Sequence, residues 1–253
     1  MSLPAIIRPW ASPPGLGFTT DSEYLMKILI VSATPFEIAP LRAYLEKKYV
    51  KSAEHQFQKG NVQVSLLITG VGLPLTAYAL GKVLALEEWN LVVNAGVAGS
   101  LSEKYSPGDV VQVVTEAFAD LGVEEADGSF TSVSELGLIA PGQPPFSEGG
   151  KLENEVGKAF NFLPVAHGIS VNKVHGYQPS IADVKRRFPE AEVETMEGAA
   201  FFYACLLEKR PFIQIRSISN KVEPRNREAW EMEKALDALN TALIALLQSL
   251  FNG

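Results

Sequence analysis

The sequence predicts an α/β fold, with a mostly parallel or mixed sheet covered by helices. Three observations carry that reading. Continuous apolar runs of strand length recur along the chain, as strands buried on both faces require. Several are followed by a segment with helical spacing. The chain has 253 residues, of which 47% are hydrophobic, enough for one large core and too many for a disordered chain.

The elements follow in order. "KILIVSA" (27–33) reads as a buried strand, and "TPFEIAPLRAYLEKKY" as a helix with Thr34 as N-cap and Pro35 at its first position. "VQVSLLITGVG" (62–72) is a strand running into a glycine turn, and "LPLTAYALGKVLALEEW" (73–89) a helix. "LVVNAGVAGSL" (91–101) and "GDVVQVVTEAF" (108–118) read as strands. Residues 120–150, rich in Gly, Pro and acids, read as a long loop with short elements, the candidate for a lid or an interface segment. "KLENEVGKAF" reads as a short helix, "VAHGISVNKV" (165–174) as a strand, "IADVKRRF" as a helix and "AEVETM" as a short strand. "EGAAFFYACLLEKR" is a helix and "PFIQIRSIS" the last strand. From Arg227 to Phe251 a long helix carries Leu236, Leu239, Leu243, Leu246 and Leu250 on one face. Residues 1–25 read as an extension ahead of a single domain spanning 26–253.

Composition narrows the function. A net charge of −7 argues against nucleic acid as the main partner. No apolar run approaches the roughly 18–20 residues of a membrane span. The single cysteine, Cys205, excludes an intramolecular disulfide and fits a cytoplasmic setting; its apolar helical neighbours make it a core residue. None of the three histidines, His55, His167 and His175, belongs to a cluster with metal-ligand spacing, so neither metal nor cofactor is expected.

Polar residues at the strand ends are the candidate site. Glu37 lies just past the first strand, where an acid is also favoured simply by a helix N-terminus. "NAGVAG" (94–99) permits close backbone approach or tight packing, and lacks dinucleotide-binding spacing. Glu197 sits at a strand–helix junction among small residues. Arg216 interrupts an apolar strand, and a buried guanidinium needs an anionic partner. Glu37 and Glu197 are the candidates for it, in a binding site or in a purely structural ion pair.

Taken in order, "VSATPFE", "ITGVG", "NAGVAG", "ETMEGAA" and "RSISN" resemble the purine nucleosidase/nucleoside phosphorylase superfamily over residues 26–253. The resemblance implies a single domain with a twisted mixed central β-sheet flanked by α-helices, a small-molecule nucleoside as partner, and a homo-oligomer, dimer or larger. The arginines with which phosphorylases hold phosphate are absent from "SATPFE" and "VVNAGVAGS". Glu37 falls where nucleosidases carry the acid that activates water, which favours hydrolysis. By the same matching Glu197 binds the ribose hydroxyls, Met196 lies against the sugar, and Arg216 places Glu37 and the water. Ala98 and Gly99 line the site through their backbone. Val97 departs from the serine of the methylthioadenosine/S-adenosylhomocysteine nucleosidases. His175 or Gly176 stands where related enzymes stack an aromatic on the base.

Asn220 replaces the Asp that protonates N7 in adenine-specific members. A carboxamide presents an acceptor and a donor side by side, which suits a 6-oxopurine protonated at N7. "ISNKVEPRNREAW" is most similar to the branch that hydrolyses futalosine to hypoxanthine on the alternative menaquinone route. Arg225 or Arg227 is then a candidate for the carboxylate on that substrate's 5′ chain. A methylthioadenosine/S-adenosylhomocysteine nucleosidase, a phosphorylase acting on inosine, and a non-catalytic nucleoside-binding module are the competing readings.

Overall fold

The computed structural model describes residues 25–140, 142–155, 157 and 163–250. The expected extension before Met26 lies almost wholly outside them. The strands are β1 (Met26–Ser32), β2 (Val50–Ala53), β3 (Gln56–Lys59), β4 (Val62–Ile68), β5 (Leu91–Ser100), β6 (Val110–Glu116), β7 (Gly122–Glu124), β8 (Phe130–Ser132), β9 (Leu152–Glu153), β10 (Val165–Ser170), β11 (Val193–Thr195) and β12 (Phe212–Lys221). The helices among the described residues are α1 (Ala39–Lys48), α2 (Leu73–Leu86), α3 (Gln178–Arg187), α4 (Gly198–Leu207) and α5 (Met232–Ser249).

The main sheet runs β11-β10-β6-β12-β5-β1-β4-β3-β2, with β9 on β6. β5 pairs parallel to β1 and β12. β12 pairs antiparallel to β6, so the sheet is mixed as expected. β11 also pairs antiparallel to β5, which closes β11, β10, β6, β12 and β5 into a ring. The carboxyl end of β5 is therefore flanked on both sides, by β12 and by β11.

Both sheet faces are covered. Ile28 and Ile30 of β1 pack with Leu41 and Leu45 of α1 and Leu239, Leu243 and Leu246 of α5. Leu29 and Val31 face the opposite cluster, with Leu80 and Leu84 of α2 and Phe201, Phe202 and Cys205 of α4. The continuous apolar run of β1 follows from this two-sided burial. A third cluster, with Ile169, Val171, Ile181 and Val184, lies under α3. No helix among the described residues is long and apolar enough to cross a membrane.

Several expected elements differ. α1 starts at Ala39 rather than after Thr34, because the segment before it is a turn wrapped around its own Glu37 carboxylate. β10 ends at Ser170 and β4 at Ile68, short of the runs that suggested them. Residues 151–160 open with strand β9 rather than a helix, and much of the rest of that segment lies outside the described residues. The last helix begins at Met232, after a separate 3-10 turn at Arg227–Ala229. The β2–β3 hairpin was not expected at all: Val50–Ala53 is exposed throughout and offers no apolar alternation. The 120–150 segment holds the β7–β8 hairpin, whose Phe130 ring lies under the Arg187 guanidinium at 4.4 Å.

One buried acid sits beneath this frame. Glu116, at the end of β6, is fully buried. It accepts hydrogen bonds from Gln214 (2.6 Å) and Ser170 (2.9 Å). Ser170 in turn accepts from the Ala199 N–H at the start of α4 (2.8 Å), and Thr195 Oγ1 accepts from the Gly198 N–H (3.1 Å). Burial pushes the Glu116 carboxyl up to about 7, against the hydrogen bonds and the Arg216 charge that favour its ionised form. A carboxyl whose pKa is raised by folding stabilises the fold below its unfolded value, and that contribution is lost as pH rises through the folded value. The wild-type melting temperature relative to Glu116→Gln is therefore expected to fall between about pH 5 and pH 7.5. Thermal melts of the two proteins across that range check this, and a pH-independent difference contradicts it.

Candidate active site

The site is built at the carboxyl ends of β1, β5, β11 and β12. Glu37 is only 9% exposed. Its Oε2 accepts from Ser32 Oγ (3.1 Å), the Thr34 N–H (2.9 Å) and Thr34 Oγ1 (3.1 Å). Its Oε1 accepts from the Val97 N–H at 3.2 Å, across from β5. It does not cap α1, which has no side-chain cap. Asn240 of α5 holds the backbone: its Nδ2 donates to the Glu37 carbonyl (2.9 Å) and its Oδ1 accepts from the Leu41 N–H (2.9 Å). Buried Asn240 was not singled out in the sequence, where it reads as one polar residue on a leucine-rich helix.

Arg216 is 0% exposed. Its Nη2 lies 3.8 Å from Glu197 Oε2. Its Nε, Nη1 and Nη2 have no hydrogen-bond partner among the described residues. A buried guanidinium with only a loose ion pair is costly unless further acceptors reach it, and ribose hydroxyls or a water are such acceptors. Gly96 makes the arrangement possible. A Cβ there would fall on Arg216 Nη1 and stand 2.8 Å from Glu37 Oε1. The first glycine of "NAGVAG" thus gives way to the protein's own arginine and acid, and the two lie against the same patch of backbone.

Glu197 is the N-cap residue of α4, yet its side chain makes no cap. It turns away, and Oε1 accepts from the Gly72 N–H at 3.0 Å. Gly72 has φ 102°, a backbone that favours glycine, so the "ITGVG" turn serves to aim a backbone donor at Glu197. Burial raises the Glu197 carboxyl above its ordinary range; Arg216 opposes that shift, and Glu37 adds to it.

Beside this cluster is a pocket lined by Gly99, Val174, His175, Glu194, Asn220, Arg225 and Trp230, among others. β5 links the two: Val97 contacts Glu37, and Gly99 is two residues further, about 7 Å along a strand. A nucleoside needs such an offset between sugar and base. Ser219 is an extra residue in the β12–β5 register, so Asn220 pairs opposite Gly99 while Ile218 pairs opposite Ala98. The bulge re-aims Asn220 toward the pocket. Asn220 Oδ1 accepts from Ser219 Oγ (2.8 Å) and Nδ2 donates to the Lys221 carbonyl (2.8 Å). Each end of the amide keeps a second valence for a ligand.

The remaining expected residues divide. Ala98 is buried, and its carbonyl accepts from Ser219 Oγ (3.2 Å). Met196 is half-buried in the turn between β11 and α4. His175 lies in the loop after β10, not at its end, and bonds Glu194. The Gly176 carbonyl accepts from the Arg225 N–H (3.1 Å). Arg225 lines the pocket, its guanidinium 5.5 Å from the centroid of Trp230. Arg227 is exposed and not among the lining residues. No described residue of 120–150 lines this pocket. Glu194 and Trp230 were not anticipated; an acid within the short apolar strand "AEVETM" was the available signal, as Arg216 was in β12.

Gly96→Ala is expected to lower stability by about 1–3 kcal/mol, the usual range for overpacking. Gly81→Ala, in the interior of α2 with open space around it, is expected to raise stability by about 0.5–1 kcal/mol. Chemical denaturation of both checks the pair, and a Gly96→Ala protein as stable as wild type contradicts the packing described.

Comparison with known proteins identifies the family. The family model described as the Phosphorylase superfamily matches residues 27–252. The chain is 30% identical over 225 residues to a futalosine hydrolase of Acidothermus cellulolyticus, covering 87% of this chain and 90% of that one. It is also 30% identical over 244 residues to a 5′-methylthioadenosine/S-adenosylhomocysteine nucleosidase of Maridesulfovibrio salexigens, covering 89% and 100%. The solved futalosine hydrolase of Helicobacter pylori superposes with a TM-score of 0.69 at 16% identity, covering 88% and 98%. The chain belongs to the phosphorylase superfamily.

Proposed function

We propose that this protein hydrolyses the N-glycosidic bond of a 6-oxopurine nucleoside, with futalosine as substrate and hypoxanthine as the released base. The observation that supports it is the meeting of Glu37, Arg216 and Glu197 at the strand ends, with Asn220 in the adjoining pocket. Relatives named futalosine hydrolase, such as that of A. cellulolyticus, support the substrate.

The residues divide the chemistry. Cleavage builds positive charge on the ribose while the purine leaves with the bonding electrons, as in other glycosidic hydrolysis. Glu197 faces the sugar hydroxyls, with Met196 against the ring, and Val97, Ala98 and Gly99 supply the backbone wall. Two carboxylates beside the ribose favour its developing charge. Glu37 takes a proton from the attacking water, and Arg216, against the same Gly96 backbone, helps to place it. Asn220 donates to the 6-oxo group and accepts from the protonated ring. An adenine amino group there sets donor against donor, which a buried site discriminates strongly. Of the two arginines, Arg225 lines the pocket, and we assign it to the carboxylate of the 5′ chain. The protein would act in the cytosol, in menaquinone synthesis, as a homo-oligomer without cofactor.

Relatives named 5′-methylthioadenosine/S-adenosylhomocysteine nucleosidase favour a second reading, in which adenine leaves. Purified protein with futalosine, inosine and methylthioadenosine, each with and without phosphate, separates the readings. Hypoxanthine release from futalosine, unchanged by phosphate and at least about tenfold above adenine release in kcat/KM, is expected from the mispaired contact. Faster adenine release moves the assignment to the second reading. Phosphate-dependent turnover moves it to a phosphorylase. Binding without turnover of any nucleoside leaves a binding module.

A further inference from the structure

We propose that His175, held by Glu194, is the acid that protonates the departing purine. The inference rests on the nucleosidase reading above and adds the proton donor that Asn220 lacks. A carboxamide donates and accepts hydrogen bonds but has no proton to give up at neutral pH. Glu37 is placed as the base, so the leaving group needs a second titratable residue.

The pocket supplies one. Glu194, on β11 opposite Gly99, has a side chain only 2% exposed. Both its oxygens go to His175: Oε1 accepts the backbone N–H at 3.0 Å, and Oε2 bonds the ring Nδ1. A carboxylate accepts only, so Nδ1 carries a hydrogen and the ring orientation is fixed. Nε2 is the remaining ring nitrogen, and no described residue bonds it. The ring is 12% exposed and lines the same pocket as Asn220 and Trp230.

A buried carboxylate requires a compensating cation or donors, and His175 provides both. The other charged groups lining the pocket are Lys221, Glu223 and Arg225. Lys221 Nζ donates to the Ser102 carbonyl (2.8 Å) and pairs with Glu103. Glu223 and Arg225 are exposed at the rim.

The step balances. The C1′–N9 bond breaks, and its electron pair goes to the purine. The proton on His175 Nε2 moves to a purine ring nitrogen, leaving a neutral imidazole still donating from Nδ1 to Glu194. Water oxygen bonds C1′, and its proton passes to Glu37. Exchange with solvent then returns a proton to His175 and removes one from Glu37.

The test is the pH dependence of hypoxanthine release by wild type, His175→Gln and Glu194→Gln. Wild type is expected to show a bell-shaped kcat profile, with Glu37 on the acid limb and His175 on the alkaline limb. His175→Gln is expected to lower kcat at least about 10²-fold, with KM changed less than about threefold, and to lack the alkaline limb. Glu194→Gln is expected to keep that limb but move it to lower pH, because the imidazolium has lost its anion. Near-wild-type kcat in His175→Gln, or an alkaline limb unchanged in that variant, overturns the proposal. If His175→Gln does not fold, a Glu194→Gln limb at the wild-type position overturns it equally. Absence of purine release from wild type sinks the nucleosidase reading instead, so the two failures are distinct.

Discussion

A single buried cation organises the site. Arg216 is sealed in the middle of β12, with Glu197 in loose ion-pair contact and Glu37 against the same backbone patch. Burial raises the Glu197 carboxyl, the Arg216 charge opposes that rise, and Glu37 adds to it. The surrounding sequence serves that arrangement. Gly96 leaves room for the guanidinium, Gly72 turns a backbone donor to Glu197, and Asn240 pins the Glu37 main chain from the far helix. Glu116 then steadies the start of α4, from which Glu197 projects.

The ring closure at β11 adds the second half. It brings Glu194 beside Gly99, and the bulge at Ser219 brings Asn220 to the same place. One end of β5 thus presents a carboxylate cluster at Val97 and a pocket at Gly99. The two lie about 7 Å apart along the strand.

Much of this was legible in the sequence. The apolar runs located β1, β4, β5, β6 and β12 because those strands are buried on one or both faces, and a helix signal followed three of them. Arg216 and Glu197 were conspicuous because charge inside an apolar segment demands a partner, and the structure pairs them. What escaped was long-range or backbone-borne. Asn240 acts on Glu37 across 203 positions, and no local pattern records that. The "NAGVAG" turn was open to ligand approach or tight packing, and at Gly96 the missing side chain accommodates Arg216. Val97 works through its N–H, so its identity says little. The start of α1 was misplaced because Thr34 and Pro35 resemble a helix cap, while the Glu37 carboxylate captures that backbone in a turn. The β2–β3 hairpin, exposed along one strand, carries no burial pattern to read.

The central claim is that Glu37, beside Arg216, activates the attacking water. The kcat of Glu37→Gln on the best substrate tests it most directly, because the amide keeps the shape and the Val97 hydrogen bond but cannot take a proton. A loss of about 10²–10⁴-fold in kcat is predicted, the usual worth of a positioned general base, with folding and substrate binding retained. A Glu37→Gln enzyme turning over at near the wild-type rate would contradict the account.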